Sequence, residues 1–301
     1  MAEQVPLLFD TDIGSDIDDA VCLAYLLRQK RCVLLGVTTV TGNTAQRAAL
    51  AEVVCRAAGR DNVPIHAGAS GPLLIGPGQP HVPQYPAIAH RPHRTDYPPN
   101  TAIEFLRRTI RAHPKEITLL AVGPLTNVGL LFATDPEIPS LLKELVLMCG
   151  VFTAGNGHGP AAREWNALVD PIATAIVFRA RPPRFTAIGL EVTTRCQLHA
   201  DECRRRFKAA GGPLEIVADM AEVWFRERQE ITFHDPLAGA IIFAPHLCEY
   251  AEGEVSVETT SAPLAGLTMF NPHAEKKPHR IAVKVDPARF FEHYFEVVNS
   301  K

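Results

Sequence analysis

The sequence predicts an α/β fold: a single domain over residues 1–301, with a mostly parallel, open, twisted sheet (a Rossmann-like core) flanked by helices. Three observations predict it. Short apolar runs alternate with stretches of helical periodicity. The runs are apolar almost throughout, as strands buried on both faces are. Most of them end in Asp, Asn, Thr or Gly, residues that turn the chain. In open parallel sheets ligands bind outside the carboxyl ends of the strands, so the active site is expected there.

The elements follow in order. Residues 5–9 form the first strand, followed by an Asp-rich turn and a helix over 18–29. Residues 33–40 form the second, ending in Thr41-Gly42-Asn43, with an Ala-rich helix over 44–58. Residues 63–66 are a short third run. Residues 71–100 are rich in Pro, contain His81, His90 and His93, and show little periodicity; they read as a long surface loop, a candidate mobile lid. Strands are then expected at 117–122, ending in Gly123-Pro124, at 145–149, ending in Gly150, and at 185–190. A second irregular stretch over 153–160 holds Gly155, Asn156 and Gly157. A last strand at 280–285 and a last helix at 289–298 close the chain.

Composition narrows the function classes. The 30 basic and 33 acidic residues give a net charge of −3, with no long basic run, so nucleic acid is not an expected partner. The longest uncharged stretch, 117–134, is broken by Gly123-Pro124 and reads as strand, turn and helix; no membrane association is expected. The start of the chain lacks the basic and apolar stretches of a signal peptide. Seven Cys are scattered without a CxxC pair, which suggests reduced thiols and a cytoplasmic location.

The most informative segment is Asp10-Thr-Asp12-Ile-Gly-Ser-Asp16-Ile-Asp18-Asp19. Five of its ten residues are Asp, and they directly follow a buried strand. Crowded, partly desolvated carboxylates repel one another, and a bound cation removes that cost. Oxygen-only ligands favour a hard cation, Ca²⁺ or Mg²⁺. Helix capping accounts for one or two of the five at most, Asp16 or Asp18, and hardly for Asp10 and Asp12 at a strand exit. Further along, Glu164 and Asn166 are two apart. In an extended segment they share a side, with Trp165 opposite, and can grip sugar hydroxyls; an exposed polar loop with a buried Trp is the plainer alternative. In His234-Asp235-Pro236, Asp235 suits an N-cap and Pro236 the first helical position, so the pair matters only if it meets the Asp cluster in space.

Taken together these motifs resemble the inosine–uridine-preferring nucleoside hydrolases. That family opens with Asp-x-Asp-Pro-Gly-x-Asp-Asp-Ala. Here Asp10-Thr-Asp12-Ile-Gly14 and Asp18-Asp19-Ala20 are similar, with two residues inserted and Ile13 in place of Pro. Thr38-Thr-Val-Thr-Gly42-Asn43, Gly123-Pro-Leu-Thr-Asn127, Leu147-Met-Cys-Gly150, Pro160 through Asn166 and His234-Asp-Pro236 follow in family order.

The resemblance implies hydrolysis of the bond between ribose C1′ and a nucleobase nitrogen in a small-molecule ribonucleoside. It implies Ca²⁺ held by Asp12, Asp19, Asp235 and the Val122 carbonyl, with Asp10 behind them orienting the ligands. Asp19 is expected to take a proton from water and His234 to act as general acid toward the leaving base. Asp18, Asn43 and Asn166 are expected on ribose hydroxyls, Asn156 and Glu164 on the 5′ side, Met148 against the sugar and Trp165 against the base. A homo-oligomer, tetramer or dimer, is also implied. Two other readings compete: a non-catalytic nucleoside or sugar binder on the same fold, and a Mg²⁺-dependent haloacid dehalogenase-like phosphatase, suggested by Asp10-Thr-Asp12.

Overall fold

The computed structural model describes residues 3–153 and 162–300. A nine-stranded sheet forms its centre. In chain order the strands are β1 (Val5–Thr11), β2 (Cys32–Thr39), β3 (Ile65–Ala67), β4 (Thr118–Ala121), β5 (Glu144–Met148), β6 (Phe185–Ile188), β7 (Gln197–His199), β8 (Glu230–Thr232), β9 (Cys248–Val257), β10 (Thr268–Asn271) and β11 (His279–Val285). The sheet order is β10-β9-β11-β6-β5-β4-β1-β2-β3. From β11 to β3 every neighbouring pair is parallel, while β9 pairs antiparallel with both β11 and β10. A separate two-stranded ribbon joins β7 to β8.

The helix-covered sheet follows from the strand sequences. In β1, Leu7 and Phe9 pack toward the helices Asp18–Arg28, Thr44–Ala57 and Pro287–Asn299, whereas Leu8 packs toward Ala102–Ala112 and Thr126–Thr134. All three side chains are fully buried. Each contributes about 1.5–3 kcal/mol, which explains a run without polar alternation. The expected strands and helices are all present, with ends shifted by at most two residues. Missed at the sequence level were the antiparallel β9–β10 edge, the β7–β8 ribbon and several helices, among them Ala102–Ala112, Ala200–Ala210 and Pro213–Trp224.

The site is positioned by strand order. The chain leaves β1 for β2 and β3 on one side, then crosses to β4, β5 and β6 on the other. The order therefore reverses between β1 and β4, and a crevice opens at their carboxyl ends. Asp10 of β1 pairs with Ala121 of β4 and Thr38 of β2, so Asp12 and Val122 both emerge at this point. Gly123 makes room for it: a Cβ there would lie 2.8 Å from both the Asp12 nitrogen and its Oδ1.

The 71–100 segment is only partly the irregular loop expected. It contains a short helix, Tyr85–Ile88, and it is pinned to the Asp-rich turn. The buried Gln84 donates through Nε2 to the carbonyls of Ser15 and Asp16, both at 3.1 Å, and through its backbone N–H to that of Gly14.

Candidate active site

A cleft with an interior of about 200 Å³ lies at these strand ends. Its walls include Asp12, Asp16, Asp18, Asp19, Val122, Met148, Glu164, Trp165, Asn166, His234 and Asp235, which sequence reasoning had singled out, together with Gln79 and Leu190, which it had not.

Carboxylates from two distant stretches meet here. Oxygens of Asp18, Asp19 and Asp235 lie within 4.8 Å of one another, and all three residues are buried. The Asp18–Arg28 helix begins with Ile17 as its N-cap, without a side-chain cap bond, so capping does not account for the pair that opens it. Asp18 instead accepts the backbone N–H of Asp235 at 3.0 Å, tying the start of the His234–Phe243 helix to the N-terminal turn. Asp235 is not that helix's N-cap, as its sequence had suggested. Phe233 holds the cap position, and Asp235 and Pro236 lie inside the first turn. Asp19 accepts a hydrogen bond from the Thr11 hydroxyl.

Electrostatics suit the cluster to a cation. Burial pushes the carboxyls of Asp18, Asp19 and Asp235 well above the ordinary 3.8, and their mutual repulsion adds to it. Asp12 is raised by burial, against the pull of Arg47. Asp16 rises to about 6, for the same reason of burial, and its Oδ1 accepts the N–H of Ile17 at 2.6 Å. Hard oxygen donors at this spacing fit a divalent cation, which would remove the repulsion.

Asp10 sits behind the cluster, pushed up to about 8 by burial. Both its oxygens accept from Asn127 Nδ2 at 3.0 Å, so it faces Asn127 and away from any ligand in the cleft.

On the opposite wall Glu164 and Asn166 are buried, but the segment is helical rather than extended. Glu164 is the N-cap of Trp165–Val169 and accepts three backbone N–H groups: Asn166 at 2.8 Å, Ala167 at 3.2 Å and Gly150 at 3.0 Å. It thereby locks Asn166 against the end of β5. Asn166 Nδ2 donates to the carbonyls of Val122 at 2.6 Å and Met148 at 2.9 Å. Burial pushes the Glu164 carboxyl to about 7. Trp165 is 45% exposed, not buried, and its Nε1 donates to Gln79 Oε1 at 3.3 Å. His234 is half-buried by its surroundings, its Nδ1 2.7 Å from the Thr193 hydroxyl. Desolvation pushes its pKa down to about 4, so the imidazole is neutral at pH 7.

One expected residue is not brought into the cleft. Asn43 is exposed and caps the Thr44–Ala57 helix, accepting the N–H of Gln46 at 3.1 Å, and it is not part of the described cleft wall. Asn156 lies outside the described residues. His81, His90 and His93 also do not line the cleft; Gln79 is the residue of that loop that does. Arg47 is the largest omission. It is fully buried beneath the acidic turn, and one of two Arg in an Ala-rich helix gives no reason to expect it there.

The fold and the cleft define a class: an α/β enzyme whose acidic, cation-ready pocket opens at a topological switch point. The same fold occurs in a plant nucleoside hydrolase, PpNRh1, with a TM-score of 0.82 at 24% identity, covering 99% of both chains. It also occurs in a purine-preferring ribonucleoside hydrolase from Gardnerella vaginalis, with a TM-score of 0.81 at 24% identity and 98% coverage of both. The sequence profile described as inosine-uridine preferring nucleoside hydrolase matches residues 7–292. A pyrimidine-specific ribonucleoside hydrolase, RihA, of Citrobacter koseri is 32% identical over 284 residues, 88% of each chain. Uridine nucleosidase 1 of Arabidopsis thaliana is 31% identical over 271 residues, 84% of this chain and 78% of the plant protein. The chain belongs to the inosine–uridine-preferring nucleoside hydrolase family, and it is an enzyme of the ribonucleoside hydrolase type. Among the described residues no helix is long and apolar enough to cross a membrane.

Proposed function

We propose that this chain hydrolyses the N-glycosidic bond of ribonucleosides with the aid of Ca²⁺, releasing a free base and ribose. The observation that carries this reading is the meeting of Asp18, Asp19 and Asp235 in one small cleft at the β1–β4 switch point.

Asp19 and Asp235 would hold the ion, joined by Asp12 on the cleft wall and by the Val122 carbonyl. That carbonyl accepts from Asn166 and keeps a second lone pair. Bound there, Ca²⁺ supplies Lewis acidity toward water and a fixed anchor for vicinal hydroxyls. Asp10, clamped by Asn127, backs the strand end that carries Asp12. Asp18 and Asn166 border the space left for the ribose hydroxyls, with Met148 against the ring and Glu164 holding Asn166 in place. Asp19, steadied on one oxygen by Thr11, takes the proton of the attacking water. Water oxygen bonds to C1′ as the C1′–N bond breaks, and the bonding pair leaves with the base. The surrounding carboxylates stabilise the positive charge that grows on the sugar. In the tautomer whose Nδ1 accepts from the Thr193 hydroxyl, neutral His234 carries its hydrogen on Nε2 and offers it to the departing base. Trp165 and Gln79 form the exposed wall suited to a planar base. Reduced, buried cysteines accord with a cytoplasmic enzyme, and a homo-oligomeric state is part of the same reading.

A panel of purine and pyrimidine ribonucleosides, with base and ribose measured separately, tests the proposal. The names of the 31–32% identical relatives, pyrimidine-specific and uridine nucleosidase, put pyrimidine ribonucleosides first. Equal release of base and ribose is the expected result. Nucleoside binding without product would make the chain a binder, and phosphate release from phosphoesters would make it a phosphatase.

A further inference from the structure

Behind the ligand-facing groups lies Arg47. Its side chain is fully buried, and all three guanidinium nitrogens donate. Nε donates to the Thr41 carbonyl at 2.8 Å. Nη1 donates to the Asp12 carbonyl, to that of Ile13 at 3.0 Å and to Ser15 Oγ at 3.1 Å, and Nη2 reaches the Gln79 carbonyl at 3.3 Å. None of these acceptors is a carboxylate. A buried guanidinium costs several kcal/mol unless its donors are satisfied, and here the backbone of three separate segments satisfies them.

The backbone around it is shaped to fit. Thr41 is β-branched yet has φ of 62°, a conformation that such residues rarely adopt. The adjoining Gly42, at φ of 64°, lies where any Cβ would run into the Gln79 carbonyl. The segment Arg47 grips, Asp12 to Ser15, lies in the turn that is two residues longer here than in the family signature. A longer turn loses more entropy on ordering, and fixed donors from beneath offset that loss.

We propose that Arg47 is a positioning residue that holds the enlarged acidic turn in its ion-ready shape before any cation arrives. This rests on the reading of the acidic cluster as a divalent-cation site. Arg47 touches neither ion nor substrate in this account. It acts through the carbonyls of Asp12 and Ile13, and it ties the turn to the segment that carries Gln79.

Calorimetric titration of Ca²⁺ into chelator-stripped full-length protein tests it, because charge and geometry predict opposite signs. Removing a nearby positive charge alone would tighten cation binding. Loss of a preformed turn would weaken it, since binding must then order the loop. R47M is expected to weaken Ca²⁺ binding at least ten-fold. R47K keeps the charge but not the planar fork, and is expected to weaken binding several-fold. Tighter binding by R47M would overturn the proposal and leave Arg47 a counter-charge only. Unchanged affinity, with melting lowered equally in the presence and absence of Ca²⁺, would overturn it in favour of a purely structural role. If R47M does not fold, R47K decides alone, and wild-type affinity in R47K overturns the proposal. Absence of Ca²⁺ binding in the unaltered protein would instead refute the cation site itself.

Discussion

Asn127→Ala isolates the strut that supports the acidic strand end. Asn127 is fully buried. Its Nδ2 lies 3.0 Å from each Asp10 oxygen and 3.0 Å from the Thr39 carbonyl, and its Oδ1 accepts the Ala69 N–H at 2.9 Å. One amide thus joins β1, β2 and the segment after β3. Truncation removes three hydrogen bonds, the two Asp10 oxygens sharing one N–H, and leaves their buried partners unsatisfied. At roughly 1 kcal/mol per bond the loss is about 3 kcal/mol. Unfolding entropy of about 2.1 cal/mol/K per residue amounts to roughly 0.6 kcal/mol/K for a chain of this length, so the melting temperature should fall by about 5 °C. The assay is thermal unfolding by circular dichroism, with Ca²⁺ in excess and pH fixed. A fall of under about 2 °C, equivalent to roughly 1 kcal/mol, would refute the claim that this amide braces the site.

Three further outcomes are expected. Asp19→Ala and Asp235→Ala should each lower ribose release at least about 1000-fold, because each removes both an ion ligand and a stabilising charge; steady-state rates within ten-fold of the unaltered enzyme would remove that residue from the mechanism. His234→Ala should slow inosine cleavage by about 100-fold or more yet change p-nitrophenyl riboside cleavage by less than about ten-fold, since nitrophenolate needs no proton; equal effects on both substrates would count against a role at the leaving group. Chelator-stripped protein should lose stability as pH rises. Its buried carboxyls have raised folded-state pKa values, so the folded chain binds more protons than the unfolded one, and the stability tied to those protons fades between the ordinary 3.8 and the folded values, about 6 for Asp16 and about 8 for Asp10. Melting temperatures from pH 5.5 to 8 should therefore fall without Ca²⁺ and flatten with it, and a rise without Ca²⁺ would contradict the electrostatic picture.

Much of this was legible in the residues. Strands buried on both faces have few ways to be written, and Leu7-Leu8-Phe9 announced one. Five Asp within ten residues could hardly be read as surface decoration. What stayed hidden depended on long-range geometry. Asp235 read as a cap until Asp18 was found on its N–H, 217 residues away in sequence. Glu164 and Asn166 read as an extended pair because their spacing fits a strand, whereas Glu164 in fact caps a short helix and spends its oxygens on backbone. Asn43 followed the family pattern, but its side chain serves its own helix. Arg47 and Gln79 gave no local signal at all, since a buried Arg is defined by the carbonyls that converge on it from elsewhere. The antiparallel β9–β10 edge was missed because β9 mixes buried, half-buried and exposed positions instead of forming an apolar run.

The most direct measurement is the rate of ribose release from a cleaved nucleoside by protein stripped with chelator, with bound metal counted by mass spectrometry, followed by stepwise return of Ca²⁺. The account predicts a rate reduced to background in the stripped protein and full recovery at one ion per chain. An unchanged rate in protein verified to contain no divalent metal would contradict it.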